Sequence, residues 1–388
     1  MKNTPVLPIS VEFASAKKIF SVRFALVRAG DTVMSAWKKV VIRTTKPLSL
    51  GLFILLIISQ ISSRAQNGAS VLTPVGVHPK GLSDSTRRVV FDRQAFSGES
   101  VPWPRWENGY LISHQIESYK AGTVNVRLYN ISGAKVREAA VWFPGSQRVL
   151  IYSAIPTLDG RIIAAGAANK ADGRVGPFIT LVDGKGNVTE VIQTDGFAPR
   201  NVCQAPDGTI WSFGSTGYDK SEPRVGDTLR HFDIQKGQVG SYLPRSSFAK
   251  QPPPDSRAFI RCSAHGVHVY STKAAEYIEI NYSGGTPHVY TAHSPSDFRL
   301  LGFVVTGPKR VYGYLYRPGE GGQSGVYYLS FDEAENTVTW LPVQGTVGPR
   351  TRPGVITGLW GADGDQLLVS RAEDSAGEVA LHWVTPLE

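Results

Sequence analysis

Cysteine and methionine are scarce, with two of each in 388 residues. Cys203 and Cys262 are too far apart in sequence to form a Cys-x-x-Cys pair, which argues against a thioredoxin-type redox role. Gly-x-Ser-x-Gly, His-Glu-x-x-His and the Walker loop are missing as well, which speaks against a fused serine hydrolase, a zincin and a nucleotidase. Helical periodicity is missing too. The chain therefore announces no reaction through a local motif.

Charge of one sign is lacking over most of the length. The formal net charge is +9, yet ten of the 41 Lys and Arg residues lie in residues 1–65 beside only Glu12 and Asp31, which leaves 31 basic against 30 acidic residues thereafter. A nearly neutral body has no global field to hold polyanions, so no nucleic-acid partner is expected. The basic excess describes a leader.

Only one long apolar run occurs, Leu48 to Ile58, and it falls short of the roughly 20 residues a membrane helix needs. It follows a basic stretch with Lys38, Lys39, Arg43 and Lys46 and precedes Ser63-Arg64-Ala65, whose small residues suit cleavage before Gln66. Residues 34–65 are therefore read as a signal peptide, or as a signal anchor if uncleaved; residues 1–33 are an upstream extension outside translation if Met34 is the start. The Gly, Pro, Ser and Thr-rich residues 66–84 form a flexible lead-in. The expected location is secreted or periplasmic, with membrane anchoring outside the cytoplasm as the alternative and no membrane span otherwise.

What the chain does have is a repeat. Asn108-Gly109, Asp159-Gly160, Asp207-Gly208, His265-Gly266, Pro308-Lys309 and Asp363-Gly364 each precede a short apolar strand, at a spacing of about fifty residues. Asn-Gly and Asp-Gly favour the positive φ of tight hairpin turns. A second hairpin follows five of these turns, beginning at Leu128, Leu181, His231, Ile278 and Tyr328, but after the sixth the chain ends one strand short. The pattern predicts an all-β fold over residues 85–388, a six-bladed β-propeller of four-stranded antiparallel blades. The β-rich run Ser85 to Gln94 is expected to complete the last blade, because an open edge there would leave backbone groups unpaired.

Cys203 and Cys262 fall at nearly the same place in successive repeats, on what would be inner strands of adjacent blades. They are either bridged in an oxidising compartment or two small buried thiols. Sequons at Asn130, Asn187 and Asn281 sit in second hairpins, where asparagine also serves turns. Arginines recur near the start of each inner strand: Arg105, Arg148, Arg200, Arg257, Arg299, Arg350 and Arg352. Facing inward, they would form a ring for carboxylate, sulfate or phosphate groups. Trp103 and Trp106 could add a stacking platform or cover blade faces. Carboxylates near the same entries are Glu107, Asp195 and Asp297.

The stretch APRNVCQAPDGTIWSFG, from Ala198 to Gly214, resembles the repeat of six-bladed secreted propellers of the gluconolactonase-like, NHL-repeat and streptogramin-lyase type. LDGRIIAAG from Leu158 is a poorer copy. In gluconolactonase-like members the resemblance implies a divalent metal in the channel on Glu, Asn and Asp ligands, and Asn201 is similar to one such asparagine. VPWPRWENG stands where those proteins open with Glu-Gly-Pro. Streptogramin-lyase-like members use a channel histidine; His265 and His268 occupy a turn and a second strand here.

Two functions follow. The first is an exported binding or scaffold module with a protein loop, anionic glycan or anionic small molecule at the channel mouth and no cofactor. Its candidate ligand-binding residues are Arg105, Arg200, Asn201, Arg257, Arg299, Arg352, Trp103 and Trp106. The alternative is a metal-assisted lactonase or lyase, which needs Asn201 and at least two further carboxylates or histidines around a divalent metal. Fold alone does not decide between a binder and an enzyme.

Overall fold

The computed structural model describes residues 79–92, 104–216, 227–244, 258–319, 321–372 and 378–388, together with the backbone of 11–13, 20–22 and 40–42. These residues are strands, turns and irregular segments, with no helix among them. The chain divides into two units, Met1–Pro74 and Val75–Glu388. In the first, β1 (Val11–Phe13), β2 (Phe20–Val22) and β3 (Val40–Ile42) pair antiparallel in that order. Apart from 40–42 and 79–84, the signal segment and lead-in read over 34–84 lie outside the described residues.

The second unit opens with β4 (Gly81–Asp92) and continues as a series of antiparallel meanders. The first holds β5 (Arg105–Glu107), β6 (Tyr110–His114), β8 (Val126–Tyr129) and β9 (Lys135–Ala139), while the intervening β7 (Glu117–Ser118) leaves to pair with the next sheet. There follow β10 (Ser146–Pro156) to β13 (Val188–Gln193) through β11 (Ile162–Lys170) and β12 (Val175–Val182). The next meander is β14 (Phe197–Gln204), β15 (Ile210–Thr216), β16 (Asp227–Asp233) and β17 (Gly237–Pro244). It is succeeded by β18 (Ala258–Cys262), β19 (Val267–Ser271), β20 (Glu276–Ile280) and β21 (His288–His293). The chain continues through β22 (Arg299–Gly307), β23 (Arg310–Tyr316), β24 (Gln323–Asp332), β25 (Thr337–Pro342) and the short β26 (Gly348–Pro349), which pairs with β24. It closes with β27 (Ile356–Asp363), β28 (Gln366–Arg371) and β29 (Glu378–Leu387), and β29 pairs back onto β4.

Turn chemistry makes these pairs local. Asn108 and Gly109 take φ of 50° and 81°, the two positive values of a type I′ hairpin, so β5 turns directly into β6. At Asp207-Gly208 only the glycine is left-handed, while the Asp207 carboxylate accepts the Thr209 amide at 3.0 Å and Ala205 exchanges backbone bonds across the loop. Pro308-Lys309, which lacks a glycine, is nonetheless a two-residue hairpin between Gly307 and Arg310, with Lys309 at φ 56°.

Packing then links each sheet to the next. One buried cluster lies between the β5–β9 and β10–β13 sheets, around Val126, Leu128, Ile151 and Phe178. Others join β10–β13 to β14–β17, β14–β17 to β18–β21, β18–β21 to β22–β25, and β22–β25 to β27–β29. The last returns to the start: Trp360, Leu368, Leu381 and Trp383 pack with Val89 of β4 and with Trp106, Leu111 and Tyr129. The opening strands touch in the same order, β5 against β10, β10 against β14, and so on to β27 against β5. Sheets that bury faces only against their sequence neighbours make this a propeller-type all-β fold.

Two features manage exposed edges. The outer strands β21 and β25 pair in parallel, Thr291 with Thr337 to His293 with Thr339. More consequentially, β4 covers β29 from Leu387 opposite Gly81 to Glu378 opposite Asp92. The strand starts four residues before the expected Ser85, because Leu82 and Ser83 also find partners on Pro386 and Thr385. Trp383 and Val89 are buried by this pairing, each a contribution of about 1.5–3 kcal/mol. Deleting residues 79–92 is therefore expected to abolish the cooperative thermal transition and to produce aggregates by size-exclusion chromatography. A monomer that melts as the full chain does would show that this pairing is dispensable.

Candidate functional site

Alternation along short strands decides which side chains face the axis. In β5 the exposure pattern leaves Arg105 and Glu107 partly open on either side of buried Trp106; in β18 it leaves Phe259 and Arg261 open against buried Ala258 and Ile260. The open faces border a cavity of about 810 Å³. Its wall takes residues from the opening strand of every meander: Arg105 from β5, Tyr152 from β10, Asn201 from β14, Arg261 from β18, Arg299 from β22 and Trp360 from β27.

Two guanidinium groups dominate its electrostatics. Arg105 pairs with Glu107 and reaches the Val202 carbonyl of β14 at 3.0 Å; burial lowers its pKa, and Glu107 opposes that shift. Arg261 has no ion pair among the described residues, and its Nη1 donates to the Ile260 carbonyl at 2.9 Å. Crowding by the surrounding protein, aided by the nearby charge of Arg105, pulls it down to about 9, against a smaller opposing effect of Glu107. His114 also lines the cavity; burial holds its pKa near 4, although its bond to the Tyr152 backbone favours the proton and Arg105 disfavours it. It is neutral at pH 7. Lys273 and Arg299 add positive charge, and none of the described residues in the lining is Asp or Glu.

The structure distributes the sequence candidates unevenly. Arg105, Asn201 and Arg299 line the cavity. Arg200 lies beside it, its guanidinium 4.1 Å from the Tyr152 ring centre. Arg148 pairs with Glu117, and Arg350 sits over the Tyr316 ring at 5.3 Å. Arg352 is on an exposed turn and does not line the cavity, and Trp106 packs edge-on against Trp383 at 5.2 Å, so neither belongs to the site. Arg257 and Trp103 lie outside the described residues. Asp195 and Asp297 occupy turns with positive φ and do not line the cavity, although Asp297 directly precedes the lining residue Phe298. Sequence reasoning looked for arginine in loops and missed Arg261, Lys273, His114 and the aromatic wall. The signal was present in the alternation of Ala258-Phe259-Ile260-Arg261, which puts Phe259 and Arg261 on one face.

The Asn201 amide nitrogen donates to the Ala258 carbonyl at 2.7 Å, and no group of three His, Cys, Asp or Glu side chains converges among the described residues. Close by, Cys203 of β14 and Cys262 of β18 form a disulfide with Cα atoms 5.5 Å apart, because neighbouring opening strands lie side by side there.

A second polar cluster lies on β18–β20. His268 contacts Ser263 Oγ through Nε2 and Tyr277 Oη through Nδ1, both at 2.8 Å, and Tyr277 donates to Glu279 at 2.8 Å. Burial would raise the Glu279 pKa, but hydrogen bonds from His268 and Tyr277 and the charge of Lys309 outweigh it and hold it near 2. His268 is a buried structural link here, and His265 sits on the exposed turn.

No protein-family model and no curated protein matches the chain. Among solved structures, prolyl oligopeptidase B from Galerina marginata, bound to a macrocyclization substrate, is similar at 8% identity and a TM-score of 0.41, over 70% of this chain and 40% of that one. YCF48 bound to D1 peptide gives 9%, 0.36, 77% and 98%, and a GH43 glycoside hydrolase gives 10%, 0.35, 78% and 67%. The chain thus spans less than half the length of the oligopeptidase. These propeller-type likenesses carry no activity across; the architecture rests on the sheet order and interleaved cores. No helix of the described residues is long and apolar enough to cross a membrane.

Two acid windows follow. Between pH 6.5 and about 4 the unfolded chain takes up a proton at His114 that the folded chain refuses, so stability falls as pH falls. Between pH 4.5 and about 2 the contribution of ionised Glu279 is lost in the same direction. Melting temperatures against pH should show a shallower upper window in His114→Asn and a shallower lower one in Glu279→Gln. Unchanged slopes would remove these groups as the cause.

Proposed function

We propose that residues 81–388 form a six-bladed, four-stranded β-propeller that is exported by the segment at 34–65 and binds an anionic ligand in its central channel. The observation that carries this is Arg261: a guanidinium crowded by protein, without an ion pair among the described residues, facing a cavity whose lining holds five other basic or imidazole side chains and, among the described residues, no carboxylate. A charge held this way destabilises the empty protein. An anion would supply the missing partner through bidentate hydrogen bonds. Arg105 is neutralised by Glu107 and acts as a fixed strut across the channel. The role is that of a binding module, a reading that rests on the guanidinium groups lining the cavity.

Export accounts for the disulfide chemistry. An oxidising compartment permits the Cys203–Cys262 bridge, which closes a loop of 59 residues and should contribute about 2–4 kcal/mol. Protein recovered from outside the cytoplasm should begin at Gln66, resist alkylation until reduced, and lose that much stability in dithiothreitol. A retained leader with alkylatable thiols would overturn the export reading.

Anion binding is tested by thermal shift at constant ionic strength, replacing chloride with acetate, sulfate or phosphate. At a hundredfold excess over Kd the gain is about 2.7 kcal/mol, a rise of several degrees. Arg261→Met should melt at the same temperature as the parent or higher, because it removes an unpaired charge, and should lose the anion response. No anion-specific shift in the parent, or a shift that survives the substitution, would overturn the assignment.

A further inference from the structure

Three of the polar side chains in the lining are turned to protein partners, and that shapes the wall a ligand meets. Asn201 donates its amide to Ala258, Tyr270 exchanges a hydrogen bond with Ser294 at 3.1 Å, and the Trp360 indole donates to Ser370 at 2.9 Å. Tyr270 and Trp360 therefore offer the cavity ring surface rather than free donors. Phe259 and Phe298 extend that surface, backed by Phe303 at 6.1 Å and Tyr327 at 5.8 Å. Against this part of the wall a ring is favoured over hydroxyls, since each hydroxyl buried on it without a partner is costly.

Position fixes the second constraint. Phe259 and Arg261 are two residues apart on one face of β18, so their side chains stand about 6.5–7 Å apart along the strand. Resting on the anion-binding reading above, we infer that the channel takes a small carboxylic acid bearing an aromatic ring, with the carboxylate on Arg261 and the ring two to three bonds away against Phe259 and Phe298. The cavity, at about 810 Å³, has room for such a molecule and for substituents reaching Lys273 and Arg299.

The test is ligand-observed NMR and thermal shift with four probes: acetate, 3-phenylpropionate, 3-phenylpropanol and inorganic phosphate. Burial of a ring predicts that 3-phenylpropionate binds about 10–100-fold more tightly than acetate. It should also bind at least tenfold more tightly than the uncharged alcohol, as expected for a carboxylate held by a guanidinium with little water around it. Phe259→Leu should shrink the advantage of phenylpropionate over acetate while leaving acetate unchanged, and Arg261→Met should abolish both while the variant still melts cooperatively. Equal affinity for acetate and phenylpropionate, or a preference for phosphate, overturns this inference and leaves the anion site standing. Equal affinity for phenylpropionate and phenylpropanol overturns it as well, since the cation is then unused. Failure of every anion sinks both readings.

Discussion

The backbone pairing of β4 with β29 is the constraint on which the rest of the second unit depends. Every other sheet is made from strands that lie close together in sequence, so local turn chemistry does most of the work of building it. The final sheet alone needs a strand from the other end of the unit, across nearly three hundred residues, and its loop-closure entropy must be met by contacts made at once. Those contacts are concentrated. Trp383 meets Trp106 edge-on, Val89 is buried beside them, and Arg87 lies over the Trp383 ring at 4.9 Å. The same cluster contains Trp360, whose other surroundings are the cavity, so closing the last sheet and shaping the binding wall are one packing event.

That dependence explains why Arg105 and Arg261 can be held where they are. Both sit on opening strands whose opposite faces are locked into the cores between sheets: Trp106 for β5, Ala258 and Ile260 for β18. The disulfide from Cys203 to Cys262 and the bond from Asn201 to Ala258 tie β14 to β18 close to Arg261. Arg105 crosses to Val202, on the same strand β14. These covalent and hydrogen-bonded links hold the strands that carry the two cations in fixed register across the cavity.

The architecture was legible in the sequence because its determinants are short-range. Asn108-Gly109, Asp159-Gly160 and Asp207-Gly208 mark turns by backbone preference alone, and their spacing exposes the repeat. The edge strand near Val89 could be inferred because a sheet ending at Leu387 lacked a partner. The parallel contact of β21 with β25 could not be, since nothing in Thr291 or Thr337 distinguishes pairing across sheets from exposure to water. The site was less visible for a related reason. Whether an arginine faces the axis depends on strand parity and on rotation of the whole sheet, so Arg352, in a Gly-Pro-Arg context suggestive of a mouth, ended on an exposed turn. Arg261, flanked by apolar residues, ended in the cavity.

Arg261 also sets a limit on how stable this protein can be. An apolar residue of similar length at this position would remove the penalty of a desolvated charge, and β18 tolerates apolar neighbours on both faces. The guanidinium is therefore the feature on which the proposed anion binding rests. The second polar cluster sharpens the contrast: His268, Tyr277 and Glu279 of β19 and β20 are linked to one another and to Lys309 of the β22–β23 turn, so the fold can pair charge where structure alone is at stake. Beside Arg261 no such partner occurs among the described residues, and Glu107, whose charge reaches it, is committed to Arg105. An anion in the channel would redress that imbalance, which is why the proposed ligand carries negative charge.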